Sequence, residues 1–226
     1  QELKKEKDDF LAYTTHEIRP PLSAVISASE ILDRTKLDSS QKEHLKALKS
    51  SASNILFLVN DILDLAKLEK RKITLEKIDF SLIDVIEKSI SILKSKAIDN
   101  NVEVKFIQSK KVPKLIIGDA FRFQQIIINL LDNAIKYSPN GQAIIELTKE
   151  DNKSLKVVVS DNGVGIQKDK LKHIFQPYAQ EKTNTSRQYG GTGLGLAICD
   201  LIIQLMNGKI NVESDSSGTV FSFIIP

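Results

Sequence analysis

Four short segments of this chain combine residue types whose spacing suits chemistry. In FLAYTTHEIRPPL, His16 is followed by Glu17 and then Arg19. A carboxylate beside an imidazole can accept from Nδ1–H, fixing the tautomer that leaves Nε2 with a free lone pair. Arg19 adds a cation beside any incoming phosphate. Pro20 and Pro21 come next, and in mid-helix each normally costs about 3 kcal/mol. They also remove backbone bonds to the carbonyls of His16 and Glu17, so the helix is expected to bend or loosen there. A solvated surface histidine is the plain alternative, but such a cost beside an exposed His–Glu pair invites a functional explanation.

The other three segments suit a nucleotide. In QQIIINLLDNAIKYSPNG, Phe123, Ile127, Leu130 and Ala134 mark a buried stripe, with Asn129, Asn133, Lys136 and Tyr137 along a neighbouring edge. An Asn carbonyl is a hard neutral oxygen ligand, suited to a Mg²⁺ that triphosphate oxygens mostly hold. Lys136 supplies positive charge for those phosphates. A merely polar helix face is the alternative, and two mid-helix Asn residues, with their poor helix propensity, weigh against it. DNGVGI, residues 161–166, follows the strand pattern LKVVVS. Asp161 can accept from an adenine amino group, and Gly163 and Gly165 let the backbone approach the base, although Asp-Asn-Gly is also a common turn. GGTGLGLAI, residues 190–198, carries Gly191, Gly193 and Gly195 into a helix, whose N-terminal N–H groups can hold an anion. A Rossmann site needs a strand directly before its glycines. The polar QEKTNTSRQY stands there instead and reads as a mobile lid, in which Arg187 either reaches phosphate or belongs to a solvated loop.

Two kinds of sequence must position these groups. Up to about residue 70 the pattern is helical: Leu11, Thr14, Ile18, Pro21, Val25, Ala28 and Leu32 form one heptad seam, and Leu45, Leu48, Ala52, Ile55, Val59, Ile62 and Ala66 another. His16 falls opposite the first seam. The polar DRTKLDSS connects them, with Asp38 or Ser39 available as the second helix's cap. One hairpin cannot bury so wide an apolar face, whereas two can as a four-helix bundle, which predicts a homodimer through residues 1–70. From about residue 73, ITLE, NVEVKFI, QAIIELT, LKVVVSD, KINVES and TVFSFII read as strands. Helical stretches near 82–97, 119–137 and 193–206 interleave them, which predicts an α/β sandwich over 73–226 with helices on one face of a sheet. The charged segment 67–75 is the expected hinge.

Composition narrows the class further. Against 29 acidic residues stand 32 basic ones, a net charge of +3 that gives no case for nucleic acid or an anionic membrane. The single cysteine, Cys199, lies in an apolar run and reads as a packing residue, in keeping with a reducing, cytoplasmic setting. No apolar run approaches the roughly 20 residues of a membrane span. Because the chain opens inside a helical pattern, the natural protein is expected to continue upstream, and any membrane anchor would lie there.

Taken together and in order, these segments resemble the histidine kinase family over nearly the whole chain. FLAYTTHEIRPPL is similar to its phospho-acceptor box around His16, NLLDNAIKY to its N box, DNGVGI to its first glycine box, IFQPY to its F box and GGTGLGLAI to its second glycine box. The resemblance implies a dimerisation and histidine-phosphotransfer domain over residues 1–70. It implies over 73–226 an ATP-binding domain of the Bergerat fold shared with Hsp90, gyrase B and MutL. The implied activity is ATP-dependent autophosphorylation of His16, followed by transfer to an aspartate of a response-regulator receiver domain. By the same resemblance Asn133 ligates Mg²⁺, Asn129 and Lys136 approach the phosphates and Asp161 binds adenine. Gly163, Gly165, Gly191, Gly193 and Gly195 shape the pocket, while Phe175 and Tyr178 anchor the lid. An ATP-gated clamp of the same fold would lack the His16 box, and a dimeric scaffold without catalysis would not need Asn133 and Asp161 intact.

One position departs from the family's pattern. Relatives often carry Thr or Asn four residues after the histidine, to hold the water that hydrolyses the regulator's phosphoaspartate; here it is Pro20. Its side chain neither donates nor accepts, and orienting an attacking water is worth orders of magnitude in rate. Weak phosphatase activity is therefore expected, and Pro20→Thr should raise it. Loss of phosphate from a purified phospho-regulator mixed with the protein and ADP is the measurement; rapid loss with the native Pro20, and none returning to His16, would overturn the assignment.

Overall fold

The computed structural model describes residues 2–69, 73–109, 111–150, 154–179 and 192–226, except for the side chains of 2–16, 50, 54, 57 and 69. The chain divides into two compact units, Gln1–Lys72 and Ile73–Pro226.

The first unit is a helical hairpin of α1 (Glu2–Asp33) and α2 (Ser39–Glu69). Helix α1 continues through Pro20 and Pro21. The start of α2 is set by a reciprocal cap. Asp38 Oδ1 accepts from Gln41 N–H at 2.8 Å, and Gln41 Oε1 accepts from Asp38 N–H at 3.0 Å. Of the two candidate caps, Asp38 is the one used. Links between the helices include the Asp33–Lys49 pair at 3.1 Å and a hydrogen bond from Arg19 Nη2 to Asn60 Oδ1 at 2.8 Å. On α2, Leu45, Ala52, Leu65 and Leu68 are buried, as is Asp61. The rest of the two seams is split. Val25 and Leu32 of α1, and Leu48 and Ile55 of α2, stay exposed together with Ile31 and Leu58.

In the second unit a five-stranded sheet has the order β2-β4-β5-β7-β6. Its strands are β2 (Glu103–Gln108), β4 (Gln142–Lys149), β5 (Leu155–Asp161), β6 (Lys209–Asp215) and β7 (Gly218–Ile225). The β2–β4 pair is parallel and the others antiparallel. Alternate residues point to one face and meet in rows: Ile145, Val159 and Phe221 in one, Leu147, Val157 and Phe223 in the next. Helices α3 (Leu82–Asp99), α4 (Ala120–Tyr137) and α5 (Gly195–Leu205) accompany the sheet, α4 packing against both α3 and α5 and against β4 and β5. On α4, Phe123, Ile126, Ile127, Leu130, Leu131 and Ile135 are fully buried. Cys199 of α5 is also fully buried, its Sγ 3.9 Å from the Ile126 carbonyl oxygen, which agrees with its reading as a packing residue. No helix among the described residues is long and apolar enough to cross a membrane.

The structure departs from the sequence reading in a short two-stranded ribbon. ITLE is not a strand. The pairing residues are instead β1 (Ile78–Phe80), which joins β3 (Ile116–Gly118) in a separate two-stranded ribbon. The reason lies in where the backbone donors go. Glu76 N–H donates to Asp119 Oδ2 at 3.1 Å, while Asp119 Oδ1 caps α4 by accepting from Arg122 N–H at 2.9 Å. The buried Asp119 carboxylate thus takes a donor that a strand would have needed. Phe80 then lies over Gly118, where an added Cβ would sit 3.2 Å from the ring, and 6.0 Å from the Phe123 ring centroid.

Phe123 also lies 6.2 Å from Phe223 on β7, so one ring joins ribbon, helix and sheet. Phe123→Ala is expected to cost about 3–5 kcal/mol, read as a lowered urea midpoint for the second unit. A cost under about 1 kcal/mol would show that the ring is not the keystone of this packing.

Candidate functional site

The last residue of β5, Asp161, begins the turn Asp161–Ile166. Its Oδ1 accepts from Gly163 N–H at 2.8 Å, and Thr219 N–H, opposite it on β7, donates to the same carboxylate. Burial pushes the Asp161 carboxyl above the usual carboxylate range, and these two amide bonds pull it back only in part. An ionised carboxylate offers about four acceptor positions. Two amide bonds leave it able to accept from an exocyclic amine as well.

The glycines of this turn are required by close approach. A Cβ at Gly163 would lie 2.1 Å from the Tyr137 carbonyl oxygen, which also accepts from Val164 N–H at 3.2 Å. Gly165 has φ +69°, and a Cβ there would lie 1.8 Å from the Asp215 carbonyl oxygen. The turn is therefore pressed between the C-terminal end of α4 and the β6–β7 connection. Asn162, beside them, fastens the turn to β4: its Oδ1 accepts from Gln142 N–H at 2.7 Å.

On α4, the four edge residues do not share one environment. Asn129 is buried, and its Nδ2 donates to the Gly195 carbonyl at 3.4 Å. Gly195 lies close to it, and an added Cβ would be 3.3 Å from Asn129 Oδ1. Asn133 and Lys136 are half-buried and Tyr137 is exposed, with Lys136 Nζ 4.6 Å from the Tyr137 ring centroid. Helix α5 begins without a side-chain cap at Leu194, which leaves its first N–H groups directed outward from the helix end. Gly193, at φ +69°, lies just before it. Its carbonyl accepts from Tyr178 N–H at 3.0 Å, and the Phe175 ring sits 6.4 Å from Phe221. Phe175 and Tyr178 are thereby attached to the sheet and to the root of α5.

The structure thus gathers onto one edge of the sheet Asn129, Tyr137, Asp161, Gly163, Gly165 and Gly195, which come from three distant stretches of sequence. Gly191 and Arg187, with the segment read as a lid, lie outside the described residues. His16 is on α1 of the other unit and its side chain is also outside them; Glu17 beside it is exposed. Sequence reasoning missed Thr219 and its neighbour Ser214, whose hydroxyl accepts from Ile166 N–H at 2.8 Å. The available signal was the Gly-Thr pair that opens the last strand, but it gains meaning only when β7 is known to lie beside β5.

Comparison with known proteins follows the same division. A model of the His kinase A (phospho-acceptor) domain matches residues 6–71, and a model of the histidine kinase-, DNA gyrase B- and HSP90-like ATPase matches residues 118–226. The chain is 38% identical over 222 residues to hybrid signal transduction histidine kinase B of Dictyostelium discoideum, covering 96% of this chain and 11% of that protein. It is 37% identical over 230 residues to the signal transduction histidine-protein kinase BarA of Escherichia coli K12, covering 100% of this chain and 25% of BarA. The chain therefore spans between about a tenth and a quarter of the length of these relatives. Among solved structures, full-length ShkA in complex with AMPPNP aligns with a TM-score of 0.79 at 29% identity, over 96% of this chain and 45% of that one. The catalytic domain of ThkA aligns with a TM-score of 0.58 at 31% identity, over 67% of this chain and 95% of that one.

The Asp161 carboxylate carries a consequence for stability. Its pKa is raised in the folded chain, so the charged form is disfavoured by folding at neutral pH, and that penalty is relieved as pH falls through the folded pKa. Asp161→Asn, which keeps the acceptor oxygen, should melt no lower than the parent at pH 7, with any advantage narrowing as pH approaches 4. Calorimetric scans across that range check it; a clearly lower melting temperature at pH 7 would mean that the carboxylate is a net stabiliser.

Proposed function

The chain belongs to the histidine kinase family, and from that membership we propose that it phosphorylates its own His16 from ATP and passes the group to a receiver-domain aspartate. The observation that supports this most is the gathering of α4, the Asp161–Ile166 turn and the start of α5 around one carboxylate that still has acceptor capacity. Asp161 reads the adenine amino group, and Gly163 and Gly165 keep the wall flat enough for a base. Asn129 and the uncapped start of α5 face the phosphates, with Lys136 adding charge. Tyr137 lines the same edge, and the segment bearing Arg187 and Gly191 would complete the phosphate side.

Among the described residues there is no group of three or more His, Cys, Asp or Glu side chains able to hold a metal by itself. Asn133 would give one neutral oxygen ligand to a Mg²⁺ held mainly by phosphate oxygens. When bound, the ion supplies charge neutralisation at the phosphates. His16 Nε2 forms a bond to the γ-phosphorus, the bond to the bridging oxygen breaks, and ADP leaves with that electron pair. Glu17 accepts from Nδ1–H and balances the positive charge that develops on the ring. In the second step a carboxylate oxygen of the receiver attacks the phosphorus, the N–P bond breaks, and neutral imidazole is released.

The same proposal covers assembly. Val25, Leu32, Leu48 and Ile55 belong to the heptad seams yet stay exposed on a single hairpin. A second copy would cover them as a four-helix bundle, which supports a homodimer through residues 1–70. A nucleotide-gated clamp without a phospho-enzyme has no use for a histidine inside a phospho-acceptor domain, so it is the weaker reading.

His16→Gln tests the assignment. It should abolish acid-labile, alkali-stable label from γ-labelled ATP and leave nucleotide affinity within a few-fold. Label retained by the variant would move the acceptor to His44 or His173.

A further inference from the structure

We propose that Ser214 is a positioning residue for adenine recognition: its hydroxyl latches the β6–β7 connection to the Asp161–Ile166 turn and so holds both amides that orient Asp161. The inference rests on the nucleotide site proposed above and adds a residue that touches no nucleotide itself. Ser214 Oγ accepts from Ile166 N–H at 2.8 Å, lies 2.9 Å from the Gly218 carbonyl oxygen, and lies 2.9 Å from Thr219 Oγ1. A hydroxyl has one proton and two lone pairs. With Ser214 donating to Gly218 and accepting from Ile166 N–H and the Thr219 hydroxyl, every one of them is used. Thr219 pairs with Ser214 on one side and with Asp161 on the other in the sheet register, so the latch and the carboxylate share a single strand residue.

The surroundings leave no slack around this latch. A Cβ at Gly218 would lie 1.9 Å from the Asp161 carbonyl oxygen, and one at Gly165 would lie 1.8 Å from the Asp215 carbonyl oxygen. Both backbones are in van der Waals contact on either side of the hydroxyl. Removing it leaves Ile166 N–H, Gly218 C=O and Thr219 Oγ1 each short of a partner, and they must shift or admit water. The Gly163 and Thr219 amides move with them. The start of α5 is held instead by Asn129, so the loss falls on the base more than on the phosphates.

Ser214→Ala, made in the full 226-residue chain, should raise the ATP KM for autophosphorylation and the ADP dissociation constant about tenfold, the equivalent of one recognition bond. The fall in kcat should be smaller, and the preference for ADP over GDP should drop about as much as ADP affinity. Ser214→Thr, which keeps the hydroxyl, should restore ADP binding to within about threefold of the parent. Unchanged ADP affinity in the Ala variant, equal losses in kcat and KM with nucleotide preference intact, or a Thr variant no better than Ala would each overturn the positioning role alone. A parent chain that binds no adenine nucleotide would overturn the nucleotide reading and this role with it.

Discussion

The candidate site depends on one face of α4 being buried in the interior of the second unit. Six large side chains from Phe123 to Ile135 are fully buried there, and at about 1.5–3 kcal/mol each they supply on the order of 10 kcal/mol before chain entropy is charged against them. The Asp119 cap is worth about 1 kcal/mol, so packing fixes where the helix lies and the cap only fixes where it begins. With that face committed, the helical period leaves Asn129 against the root of α5 and Asn133 and Lys136 further out. The polar edge is thus positioned by the apolar one.

Hydrogen-bond accounting explains the second half of the site. Strand β5 ends in a carboxylate that the fold desolvates, and the amides of Gly163 and Thr219 compensate only part of the cost. Such an uncompensated cost is what the proposed adenine-binding role of Asp161 would entail. The glycines around it contribute by what they lack, since Gly163 and Gly165 admit neighbouring carbonyls that any side chain would exclude.

Much of this was legible in the sequence because it is local. The α4 stripe, the five sheet strands and the Asp-Asn-Gly turn each follow from spacing within about twenty residues. ITLE misled for a complementary reason: its composition suits a strand, but the Glu76 donor goes to Asp119, 43 residues away. Asn129 looked like part of a uniform polar edge, and only the packing of α5 shows that it is buried. Ser214 and Thr219 were silent because a serine in a strand acquires meaning from the strand beside it. The pairing of β5 with β7, which brings Asp161 opposite Thr219, leaves no trace in either segment read alone. The split of the hairpin seams into covered and exposed members has the same origin, since heptad spacing does not say which neighbour covers which residue.

The place of β7 in the sheet has a consequence for biosynthesis. It is the last strand in sequence but lies between β5 and β6, and Phe221, Phe223 and Ile225 are buried. A ribosome releasing this chain exposes a hairpin whose two helices can meet early. The second unit has no completed sheet until Ile225 emerges to pair with Leu155. Until then β5 presents an open apolar edge, the kind of surface on which chaperones and misassembly compete. The hairpin can therefore complete its contacts before the second unit completes its own.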